Sequence, residues 1–197
     1  SLYPPPRPRH DKDRHAGLAR VSEALTLQGA QQALAVLRGR KLIENRAWRI
    51  PCGWYALHAG AQLISDERAA RLRRAWPDAP PEASLPRGAI LGAFFVRAHL
   101  APEQCVPGYV WARGPICHLI SKAVELRRPI RCSGNKGLWS LDDRTREELS
   151  EQLAGADVVE FDLRDLPPSL IPPDPASAAS AAERRPRPPQ PIGRQRR

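Results

Sequence analysis

Residues 39–46 read Gly-Arg-Lys-Leu-Ile-Glu-Asn-Arg, and the fold turns on how this stretch is read. Upstream, Ala30, Ala33, Leu34 and Leu37 recur at i, i+3, i+4 and i+7, which is one face of a helix. Gly39 stands where helices most readily end, just past the last turn. The chain therefore leaves a helix and enters an extended segment over Lys41–Arg46. Alternation puts Leu42, Glu44 and Arg46 on one side and Lys41, Ile43 and Asn45 on the other. Lys41 follows the glycine so closely that its direction is the least constrained. Charges beside an apolar sheet are costly unless paired. Either Glu44 forms a structural ion pair with Arg46 or Lys41, or the group lines a polar cleft.

Outward from this stretch, strand and helix signals alternate. Ala24–Leu27 reads as a short apolar strand, and Trp54–Ala59 as another beyond a turn at Pro51–Gly53. Ser65, followed by Asp66 and Glu67, opens a helix that buries Ala69, Leu72 and Trp76. Pro77, Pro80, Pro81 and Pro86 make a loop. Gly88–Leu100 is the strongest strand, and Gly92 inside it marks a bulge or bend. Residues 116–132 are expected to hold two strands around Glu125–Arg128. Thr145 with Glu148 forms a capping-box pattern before a last helix carrying Leu149 and Leu153. Val158–Leu163 alternates as a closing strand. Five to seven short strands with two or three helices predict an α+β domain around a small, curved or closed sheet.

The octapeptide resembles the G-x-K-x-x-E-x-R signature of the ASCH domain, a branch of the PUA-like β-barrel superfamily. Trp48 follows as in that family's E-N-R-x-W. Ala56-Leu57-His58-Ala59 is similar to its I-H-A strand, and Leu85–Gly92 to its P-R-G-A-I-I-G strand. Trp111 with Gly114-Pro115 fits the next block, and Pro129-Ile130 with Gly134–Trp139 resembles the closing P-I-x-x-x-G-x-x-G-L-W. The resemblance runs from about Ala24 to Trp139. It departs where family members often carry R-x-P-W-A, since Gln28–Gln32 has neither Pro nor Trp. It implies a small β-barrel with two or three flanking helices, and RNA or a modified nucleotide as ligand.

The 197 residues carry 31 Lys+Arg against 21 Asp+Glu, a net charge of +10. Of the 22 Pro, four lie in residues 1–20 and nine in residues 167–197, and those two stretches supply +7 of the charge. Such composition cannot bury enough apolar surface to offset ordering. The expected organisation is a domain over residues 21–166 between disordered basic tails, 1–20 and 167–197. No apolar run is long enough for a transmembrane helix, no signal peptide is visible at Ser1–Arg9, and no membrane partner is expected. Cys52, Cys105, Cys117 and Cys132 are far apart, which excludes a zinc ribbon or disulfide scaffold and favours thiols in an intracellular, cytoplasmic or nuclear, setting.

The candidate ligand-binding residues are Lys41, Glu44, Arg46, Trp48, His58 and Lys136. Single-stranded RNA recognition needs aromatic or guanidinium planes for unstacked bases and a cationic track for phosphates. Trp48, Arg46, Arg49 and Lys136 offer both, with Lys136 in a glycine-flanked loop. His58, among apolar neighbours, is first of all a satisfied core histidine and otherwise a base-reading or proton-transfer group. Trp54, Trp76, Trp111 and Trp139 read as core. Arg68, Arg71, Arg73 and Arg74 give the second helix a basic face. A bacterial branch of the family is an amidohydrolase on acetylated cytidine, and others are described as ribonucleases. The amidohydrolase resemblance implies a Lys and a Thr nucleophile in the octapeptide strand. Lys41 matches, but Glu44 occupies the Thr position, which argues against the same mechanism and leaves metal-assisted or general acid–base hydrolysis with Lys41 and Glu44 as candidates. No cofactor or metal is expected. An adaptor of transcription or translation complexes is the third alternative.

Overall fold

A computed structural model describes residues 17–105 and 110–161. Seven strands, β1 (Glu23–Leu27), β2 (Ile43–Arg46), β3 (Gly53–Ala59), β4 (Ala89–Leu100), β5 (Ile116–Arg131), β6 (Leu138–Ser140) and β7 (Val159–Glu160), form one sheet. Its order is β2-β5-β4-β3-β1-β6, with β7 pairing β5. Three helices, α1 (Ala30–Leu37), α2 (Asp66–Ala75) and α3 (Asp143–Leu153), flank it. This is the expected α+β class. The sheet curls into a half-barrel in which β2 and β6 are the outer strands of the path.

The pairing is antiparallel except for β1 and β3, which run parallel with Thr26 beside His58. A parallel pair needs a crossover, and here the crossover contains α1 and β2. From Trp54 onward β3 is buried throughout, as a central strand covered on both faces should be. In α1, Ala30, Ala33, Leu34 and Leu37 are all buried, and Gly39 takes φ 66 after the last turn. The carboxylate of Glu82, from the proline-rich loop, accepts from the backbone N–H groups of Ala30 at 2.7 Å and Gln31 at 2.8 Å. It thereby satisfies two donors at the positive end of the helix.

Gly92 does mark a bulge. The β4–β5 register shifts between Ile90 and Gly92, and a Cβ at Gly92 would lie 2.2 Å from the Val124 carbonyl oxygen and 2.5 Å from Leu37 Cδ2. Two other expectations are corrected. Residues 116–131 form one continuous strand, whose register shifts against β4 absorb the bend that the sequence suggested as a break. The last helix is capped by Asp142, whose Oδ1 accepts from the Thr145 N–H at 2.9 Å and Oδ2 from the Thr145 hydroxyl at 2.7 Å. Asp142 is the better N-cap residue, and Thr145 is the third helical position. Within the segment expected to close the sheet, Val159 and Glu160 pair only with Lys122 and Ala123 of β5. Leu18, placed by the sequence reading in the N-terminal tail, is buried in the core with Val21, Trp54 and Leu149. Leu18–Arg20 form a short 3-10 turn, so the N-terminal tail assignment does not hold there, and residues 1–16 and 167–197 lie outside the described residues.

Candidate functional site

β1 and β2 face each other across the open side of the half-barrel. The cleft there has a volume of about 1240 Å3 and continues, through Thr26, Gln28 and Arg46, into a second pocket of about 400 Å3. The large cleft brings together Arg46, Trp48, His58 and Lys136, four of the six predicted binding residues. Among the described residues its lining contains no carboxylate. Trp48 lies in the loop after β2 and is 36% exposed, while Lys136 sits in the exposed loop between β5 and β6.

Lys41 and Glu44, the other two, line the smaller pocket instead. Both are buried, and Lys41 Nζ donates to Glu44 Oε2. Lys41 precedes the first strand residue, Ile43, so alternation does not reach it and it lies on the side of Glu44 rather than opposite. Arg46 Nε approaches Glu44 Oε1 at 2.9 Å. That N–H is not aligned on the oxygen and has no hydrogen-bond partner among the described residues, so the contact is an ion pair. Arg46 Nη2 donates across the cleft to the Thr26 carbonyl at 3.2 Å. Burial pushes the Glu44 carboxyl up, but Lys41 and then Arg46 outweigh it and hold the group below its ordinary value. Glu44 is thus a committed carboxylate and a poor general acid. The Lys41 ammonium also stands 5.8 Å from the Trp111 ring.

Asn45 faces away and fixes the neighbouring loop. Its amide donates to Trp111 O at 2.6 Å and accepts from the N–H groups of Arg113 at 2.9 Å and Gly114 at 3.0 Å.

His58 belongs to a directed file of hydrogen bonds. The carbonyl of Cys132, 3.1 Å away, can only accept, so His58 Nε2 carries the proton. Nδ1 must then accept from the Thr26 hydroxyl at 3.2 Å. Thr26 Oγ1 in turn accepts from Trp139 Nε1–H at 3.1 Å. Parallel pairing explains the meeting, because Thr26 and His58 are register partners and β6 carries Trp139 along the other edge of β1. Burial lowers the His58 pKa, more than the Cys132 carbonyl raises it. Gly134 covers the file so closely that a Cβ there would lie 2.4 Å from the His58 ring.

Sequence reading missed His118. It is fully buried, opposite Glu44 in the β2–β5 register. Its Nε2 accepts from Ile50 N–H at 2.9 Å, so Nδ1 carries the proton and donates to Glu44 O at 3.0 Å. His99 Nε2 donates to Ile50 O at 2.6 Å. Two histidines therefore hold the Ile50 backbone, one at its N–H and one at its carbonyl, and fix the loop bearing Trp48. In the sequence both are isolated among strand residues, and only the pairing of β2, β4 and β5 brings them together.

Among the described residues no group of His, Cys, Asp and Glu could hold a metal ion, and no helix is long and apolar enough to cross a membrane. No protein-family model matches the chain, and no curated protein matches it. Among solved structures it is similar to the crystal structure of ASCH from Zymomonas mobilis, with 14% identity and a TM-score of 0.42 over 70% of this chain and 97% of that one. A serine-to-alanine variant of the same protein gives 12% identity and a TM-score of 0.42 over 71% and 99%.

Proposed function

We propose that this ASCH-like chain binds single-stranded RNA or a modified nucleotide in the cleft between β1 and β2, in an intracellular setting. The carrying observation is the joint placement of an exposed indole, Trp48, with Arg46 and Lys136 in one large cleft whose described lining has no carboxylate. A base stacks on an aromatic face whatever its identity, and cationic side chains meet the backbone. The family's motif strand, which supplies Arg46 and leads to Trp48, adds to this reading. Binding of a labelled single-stranded RNA, titrated at several salt concentrations beside free acetylated cytidine, tests it. The slope of log affinity against log salt should be about −0.7 for each phosphate contact. Lys136→Ala should reduce that slope by about one contact, and no retention of either ligand would remove the proposal.

A hydrolase is the second reading, and Thr26 favours it. The octapeptide strand lacks a hydroxyl, but Thr26 lines both pockets and its hydroxyl has His58 Nδ1 as acceptor. A hydroxyl beside an oriented imidazole is the arrangement that activates a nucleophile. Release of acetate from acetylated cytidine, lost in Thr26→Val, would support this reading. No acetate release by the unaltered chain would eliminate it, and equal turnover in Thr26→Val would remove Thr26 from the chemistry.

A further inference from the structure

We propose that the arginine-lined pocket between α2 and β2 binds a terminal phosphate, a phosphomonoester dianion, on the nucleotide or RNA strand held in the adjoining cleft. This rests on the binding reading above and narrows its ligand.

The pocket of about 400 Å3 is lined by Arg46, Arg68, Arg71, Arg113 and Lys41, against only Glu44 and Glu67 as carboxylates. Glu44 is already engaged by Lys41 and Arg46. Glu67 is left to answer the outer guanidinium groups. It contacts Arg71 Nη2 at 2.6 Å and Arg113 Nη2 at 3.8 Å, but its side chain is 74% exposed. Arg68 donates instead to the neutral amide of Gln28.

Arg71 is the central group. Its side chain is only 12% exposed, and its Nε has no hydrogen-bond partner among the described residues. A buried donor left unmatched is costly, and a phosphate oxygen would satisfy it. Burial, and after it the nearby Arg113, lower the Arg71 pKa, and Glu67 offsets only part of this.

The balance favours a chain end over a bridging phosphate. Five cations against two carboxylates leave an excess of three positive charges. A phosphodiester brings one negative charge, whereas a terminal phosphate carries about −1.5 to −2 at pH 7 with three strong acceptor oxygens. Forked guanidinium groups suit such oxygens. The pocket shares Thr26, Gln28 and Arg46 with the cleft that holds Trp48, so base and phosphate sites are contiguous.

The test uses the full chain and fluorescent single-stranded hexanucleotides with a 5′-hydroxyl, a 5′-phosphate or a 3′-phosphate. One phosphorylated end should bind about tenfold tighter than the hydroxyl strand. That advantage should shrink to about twofold or less in Arg71→Gln, and likewise in Arg113→Gln, whose half-exposed side chain can change without disturbing the core. Equal binding of all three strands, with Trp48→Ala weakening each, would overturn the phosphate pocket and leave the cleft reading standing. If no strand binds, pyrophosphate decides. A rise in Tm that disappears in Arg113→Gln would keep the anion pocket and sink the nucleotide reading, and no rise would sink both.

Discussion

Thr26 Oγ1 sits 3.2 Å from His58 Nδ1, and the bond runs one way, from the hydroxyl to the ring. The direction follows from the Cys132 carbonyl at the far side of the imidazole, which takes its only proton. With the indole of Trp139 donating to the same hydroxyl, three separate segments are joined in single file. Thr26→Val keeps the shape and removes the hydroxyl, leaving a buried ring nitrogen and an indole N–H without partners. It should cost about 1–3 kcal/mol in urea unfolding, and Thr26→Ser much less. A neutral Thr26→Val would show that the file contributes nothing to stability.

The buried histidines set the response to acid. His58 and His118 both have pKa values lowered from 6.5, chiefly by burial. The unfolded chain therefore takes up more protons than the folded one once pH falls below that value. Stability should be highest above about pH 7 and decline as pH falls from there toward 5, with Glu44 adding its own loss only at lower pH, as its depressed carboxyl protonates. Melting temperature against pH reads this directly, and a curve that is flat or rising toward acid contradicts it.

Lys41→Ala removes the buried partner of the Glu44 carboxylate and leaves it with the half-buried Arg46 as its remaining cation. Removing one partner of such a pair costs about 3–5 kcal/mol. Replacing both, Lys41→Met with Glu44→Leu, should restore most of that stability while abolishing ligand retention if the pair shapes the pocket. Chemical denaturation and RNA retention on the same three proteins separate the two effects. A double variant that still binds would make the pair structural only.

Trp48 faces the cleft without belonging to a buried cluster. Trp48→Ala should weaken RNA binding by about 1–3 kcal/mol, the worth of one stacked base, and change Tm little. The indole emission should also respond to titrated RNA in the unaltered chain. A large fall in Tm without loss of binding would reassign Trp48 to packing.

All four cysteines are free, but their environments differ. Cys52 is exposed, whereas Cys105 is buried with its thiol pushed up to about 12, first by burial and then by Cys117. A maleimide should label Cys52 within minutes and leave Cys105 and Cys117 unmodified until the chain unfolds. Early modification of Cys105, seen by peptide mass, would mean that its segment opens readily.

Short-range signals carried much of the fold. The spacing of Ala30, Ala33, Leu34 and Leu37, the glycine at 39 and the bulge at Gly92 all report backbone geometry, and each was visible locally. The site was legible only in part. Arg46, Trp48, His58 and Lys136 do line one cleft, yet Thr26 gave no signal because its importance comes from parallel pairing with a strand 32 residues away. The basic helix shows the same limit. Four arginines looked alike in sequence, and tertiary packing brings Arg68 and Arg71, one turn apart, to the pocket, where Arg71 alone of the four is partly buried. Asp142 was overlooked because Thr145 and Glu148 made a familiar pattern three residues later.

β5 also governs where this protein can change length. One unbroken run of 16 residues places His118 under Glu44 at one end and delivers Cys132 and the loop of Lys136 at the other. A residue gained or lost within it would turn every following side chain to the opposite face, shifting one wall of the cleft against the other. The connection at 154–158 lies outside any strand and away from both pockets, whereas 61–64 supplies Ala61 and Gln62 to the cleft. A change of length within β5 should therefore cost far more than one at the rim, because the distance between the two pockets depends on this single strand.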